Sequence, residues 1–118
     1  MTRLNWIVAT ALALPAWAHA HDYPTAERVM FVQACMRDNP GGYYEMLHKC
    51  SCVMDTIARD LPFGQFEEMS TVAKATSIGG ERGSYIRDVE VLQVQIRKFR
   101  QLQAQARKSC MIAPDAAR

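Results

Sequence analysis

The sequence predicts an all-α fold: a small bundle of three to four antiparallel helices stapled by two disulfides. Three observations predict it. Apolar residues recur at spacings of three and four, no run alternates apolar with polar residues for strand length, and the chain carries four cysteines. Turn residues separate the predicted helices, and short connections favour antiparallel neighbours.

The first twenty residues have the order of a secretory signal. Arg3 supplies the positive start, Ile7 to Trp17 an uncharged apolar stretch, and Ala16, Ala18 and Ala20 the small residues of a cleavage site. The stretch is too short to span a bilayer, which takes roughly 20 apolar residues. Cleavage after Ala20 is favoured, with Ala18 as the alternative, and leaves a single domain over 21–112 with a frayed tail over 113–118. The whole chain has a formal net charge of +2, to which Arg3 contributes one. So small a charge gives no electrostatic case for nucleic acid.

Four helical segments follow. The first starts at Pro24-Thr25 and runs to about Arg37, with Val29, Val32 and Met36 on one stripe, and Asn39-Pro40-Gly41-Gly42 breaks it. The second runs from about Tyr43 to Asp60, because Pro62 disfavours helix at Leu61. Stepping 100° per residue puts Tyr43, Met46, Leu47, Cys50, Val53, Met54, Ile57, Ala58 and Leu61 in one arc, with Cys52 about 200° from Cys50. A third segment over about 65–77 spaces Phe63, Phe66, Met69 and Val72 at threes and stops at Gly79-Gly80. Residues 79–84 then read as a loop, followed by one helix from about Tyr85 to Lys108. Its seam is Val89, Leu92, Ile96, Phe99, Gln103 and Ala106, continued to Cys110.

All four cysteines, Cys35, Cys50, Cys52 and Cys110, lie beyond the export segment, where thiols oxidise, and they read as two disulfides. A Cys50–Cys52 ring is incompatible with a regular helix. Cys35 with Cys50 and Cys52 with Cys110 needs least adjustment in an antiparallel hairpin. The crossed pairing, Cys35 with Cys52 and Cys50 with Cys110, stays open, since helix ends read from sequence are uncertain by a few residues.

Chemistry is sparse. His48-Lys49-Cys50-Ser51-Cys52 is the one compact set of reactive side chains, and a C-x-C in mid-helix differs from the C-x-x-C at a helix start that thiol oxidoreductases use. His21, exposed as a new terminus by cleavage after Ala20, and His48 are the candidate metal ligands, with copper as the metal their nitrogens suit. The methionines sit mostly on apolar stripes, where core filling explains them. Metalloprotease, serine-hydrolase, phosphate-loop and covalent-haem motifs are missing from the sequence. A non-enzymatic protein with no cofactor is therefore the leading expectation, with a copper carrier and a thiol redox protein as alternatives. Glu81, Arg82, Arg87 and Asp88 concentrate charge between two helices, either as an ion-paired connection or as a contact surface for another periplasmic protein.

Taken together, Cys35-Met36, Tyr44 to Cys50-Ser-Cys52-Val53, Gly80-Glu81-Arg82-Gly83 with Arg87-Asp88, and a late Cys110 resemble a known group. These are small exported bacterial four-cysteine proteins of poorly defined role, encoded near pyrroloquinoline-quinone (PQQ)-dependent alcohol dehydrogenases and c-type cytochromes. The resemblance spans about residues 28–112. It implies an accessory role in periplasmic oxidation or its assembly and transfers no catalytic residue.

Overall fold

A computed structural model describes residues 23–113; the signal segment, its cleavage sites, His21 and most of the tail lie outside the described residues. Five helices follow one another: α1 (Thr25–Asp38), α2 (Tyr43–Asp60), α3 (Phe63–Ala75), α4 (Glu81–Asp88) and α5 (Glu90–Ser109). No strand occurs among the described residues. The all-α, disulfide-stapled architecture is as the sequence predicts.

Helix α2 is the axis of the molecule, packing α1 on one side and α5 on the other. Its apolar arc is buried as Met46, Cys50, Val53, Met54, Ile57 and Ala58. Phe66 of α3 and Phe99 and Ala106 of α5 complete this core. The Phe66 ring meets Phe99 at 5.8 Å and Phe31 of α1 at 6.1 Å, edge to face, the arrangement that aromatic quadrupoles favour. Ahead of α1, the Tyr23 ring packs 5.2 Å from Phe63 and 5.3 Å from Phe66, and its hydroxyl donates to the Leu61 carbonyl at 2.8 Å. That contact ties the entrance of α1 to the end of α2.

Both bridges of the favoured pairing are formed, Cys35–Cys50 and Cys52–Cys110. Because Cys50 and Cys52 leave α2 on different faces, one bridge holds α1 and the other holds the end of α5. Asn39 adds a polar tie at the same end: its amide donates to the Cys35 carbonyl at 2.8 Å, and its oxygen accepts from Arg107 at 3.0 Å.

Three expectations need correction. The single helix over 85–108 is two helices, broken at Val89, whose extended backbone (φ −84°, ψ 107°) ends α4 and opens α5. Gln93 stabilises the break by donating its side-chain amide to the Ile86 carbonyl at 3.0 Å. The loop expected over 79–84 is helical from Glu81 onward, and α3 occupies Phe63–Ala75 rather than 65–77. Finally, Tyr43 and Val29, placed on core-facing stripes by periodicity, are 66% and 48% exposed. Helix α1 buries no residue fully, so these side chains look onto a face that nothing covers among the described residues.

Candidate functional site: the outer face of α4

The α3–α4 junction holds the charged residues singled out in the sequence, and local backbone chemistry explains why it is rigid. Gly80, the residue before α4, has φ +80° and ψ −166°, a conformation essentially restricted to glycine. Gly83, one turn later, is buried, and a Cβ there would lie 1.8 Å from the Ile78 carbonyl oxygen. No side chain fits, so the first turn of α4 rests directly on backbone. Arg87, one further turn along the same face, donates from one guanidinium nitrogen to the carbonyls of Ile78 at 3.2 Å and Thr76 at 3.4 Å. Those carbonyls follow the last turn of α3, where acceptors lack intrahelical partners.

Gly83 is thus buried against the end of α3, and the exposed Arg87 side chain reaches back to it. The opposite face carries Glu81, Tyr85 and Asp88, spaced four and three apart and so within an arc of about 60°. Both acids are exposed, and Tyr85 is 70% exposed. Ile78, beside the junction, is 52% exposed. An exposed aromatic ring flanked by two carboxylates has the composition of a recognition surface, where tyrosine contributes contact area at low entropic cost. Of the four charged residues expected to meet a partner, Glu81 and Asp88 lie on this face and Arg87 serves the junction. The Arg82 side chain lies outside the described set. Tyr85 was missed because it was read as the start of a core-facing helix; its spacing from Glu81 and Asp88 was the available signal.

The other candidate residues do not converge. His48 is exposed on α2, and its cysteine neighbours Cys50 and Cys52 are committed to different disulfides. Lys49 pairs with Glu45 at 2.6 Å one turn away and holds that carboxyl below its ordinary range. Among the described residues no three His, Cys, Asp or Glu side chains group in a way that would hold a metal ion. No free cysteine is present to act as a nucleophile or thiolate ligand.

No family model, no curated protein and no solved structure matches this chain. The functional reading therefore rests on the chemistry of the chain itself.

Proposed function

We propose that the protein is a non-enzymatic periplasmic interaction module that assists a quinoprotein dehydrogenase or its electron-transfer partner. The observation that carries this reading is the division of α4 into two faces. Gly83 and Arg87 tie the helix to α3, and Glu81, Tyr85 and Asp88 thereby face solvent with no side-chain partner among the described residues. Such a surface suits a partner presenting cations around an apolar pocket, because complementary charge steers the encounter and a buried aromatic anchor supplies the affinity. The two disulfides fit an oxidising compartment, and among the described residues no helix is long and apolar enough to cross a membrane. The sequence resemblance supplies the partner class.

Isothermal titration of the exported, disulfide-intact protein against a purified PQQ-dependent alcohol dehydrogenase, and separately against its c-type cytochrome, tests the proposal. Binding to one of them, weakened about 30-fold by Tyr85→Ala, is the expected result. Failure to bind either, or binding indifferent to Tyr85→Ala and Asp88→Lys, would overturn it.

A further inference from the structure

Helix α5 packs against α2, α3 and α4, and the face it turns to solvent is cationic towards its C-terminal end. Arg97, Lys98, Arg100 and Lys108 share an exposed arc of about 160°, and only glutamine and alanine stand between them on it. Glu90 is the last acidic residue of the helix. Among the described residues none of the four cations lies within ion-pair distance of a carboxylate. The helix dipole favours cations in the last turn but fades beyond it, so it gives no reason for Arg97, Lys98 and Arg100.

At the end of this helix the chain places an apolar side chain in solvent. Met111 has φ +58°, its amide donates to the Lys108 carbonyl at 3.2 Å, and its side chain is 79% exposed. Glycine would hold that conformation at lower cost, and an exposed side chain gains nothing from packing, so the fold does not account for a methionine there. The acids stand at the other end of α5: Glu90 opens it, and Glu81 and Asp88 lie on α4 just before it.

We infer that this face docks on a bilayer surface carrying anionic phospholipid headgroups, with the four cations on phosphates and Met111 entering the headgroup layer. The face is convex, and its charges ride on long flexible side chains. A rigid acidic protein would meet one flank of such an arc, whereas lipid headgroups move laterally and gather around it. Protein interfaces are depleted of lysine and draw their affinity from anchors seated in pockets. An anionic membrane needs no such anchor, since each basic residue near it strengthens binding about fivefold. The contact is peripheral: Ile96, Phe99 and Ala106 keep the apolar face of α5 in the core, and no described helix is long and apolar enough to cross a membrane. Charge separation along α5 keeps the acidic α4 end off the like-charged surface. This docking stands independently of the function proposed for the Tyr85 face.

Flotation of the exported full chain, both disulfides formed, with phosphatidylcholine vesicles containing about one third phosphatidylglycerol tests this. The expected result is binding at about 0.05 M salt, its loss at about 0.5 M, and none to phosphatidylcholine alone. Arg97→Gln with Lys108→Gln weakens binding about 25-fold. Arg28→Gln with Lys74→Gln, which removes the same charge from other helices, weakens it less than about threefold. Met111→Gly weakens it about threefold with the fold retained, so that loss reports contact with the bilayer. Tyr85→Ala leaves binding unchanged, which separates this face from the α4 surface. No binding to the anionic vesicles overturns the inference, as does equal binding to phosphatidylcholine, equal weakening by the two pairs, or affinity unmoved by Met111→Gly. Capture by soluble polyglutamate in place of vesicles would assign the face to an acidic protein and overturn it as well.

Discussion

Met111 ends α5 in the left-handed region, with φ +58°, where a side chain is unfavourable. The surrounding bonds explain why the chain accepts it. The Met111 amide donates to Lys108 at 3.2 Å and the Ile112 amide to Arg107 at 2.9 Å, the paired bonds of a Schellman motif, and Ile112 is buried behind it. Since the Met111 side chain is 79% exposed, it contributes little in return. Met111→Gly is expected to raise stability by about 0.5–1 kcal/mol in chemical denaturation. Tyr23 gives a second prediction at this scale. Burial pushes its phenol from 10.0 up to about 12, partly opposed by the Arg28 guanidinium. Between those values the unfolded chain loses the proton while the folded chain retains it, so stability falls as pH rises. The loss is about 2–3 kcal/mol over that window. In Tyr23→Phe that slope between pH 10 and 12 disappears, as read from urea midpoints across the alkaline range.

At the scale of elements, the α3–α4 junction depends on close backbone approach at Gly83. Gly83→Ala forces the Ile78 carbonyl and the first turn of α4 apart. Overpacking of this kind costs about 1–3 kcal/mol, and here it falls on an eight-residue helix. Amides of α4 are expected to exchange much faster in this variant while those of α2 keep their protection, and the Tyr85 face loses its fixed geometry with them. The same junction shows where sequence reasoning stopped. Helix α2 was legible end to end because its apolar period is strong and Gly42 and Pro62 bracket it. Gly79, Gly80 and Gly83 predict a loop, since glycine is the usual punctuation of turns, whereas Gly80 and Gly83 serve a tight helix start that tertiary contact demands. Val89 gave no warning of its break, because the seam from Val89 to Ala106 keeps its helical spacing and lacks Pro or Gly. Half of the candidate site was legible as concentrated charge; which charges faced outward depended on a contact between α4 and Ile78 that no local pattern encodes.

Across the whole molecule, cohesion converges on α2. Helix α1 buries no residue fully and is held chiefly by Tyr23, the Phe31–Phe66 contact and the Cys35–Cys50 bridge. The bridges close separations of 15 and 58 residues, which in the chain-entropy model stabilise by about 3 and 4 kcal/mol. Together these rival half or more of the net stability of an ordinary small domain. Their accessibility differs: Cys50 is fully buried and Cys35 partly so, whereas Cys52 is exposed although its mate Cys110 is buried. A thiolate must reach a sulfur atom to open a bridge, so limited reductant attacks Cys52–Cys110 first. Alkylation and mass spectrometry at intermediate times should find a single species labelled at Cys52 and Cys110, folded but with a lowered melting temperature. Opening Cys35–Cys50 then releases α1, exposes Phe66 and Met54, and abolishes the cooperative transition. The reverse order of labelling would mean that α1 fluctuates away from α2 more readily than the burial of Cys50 allows, and an unchanged melting curve after full reduction would mean that packing alone sustains the bundle.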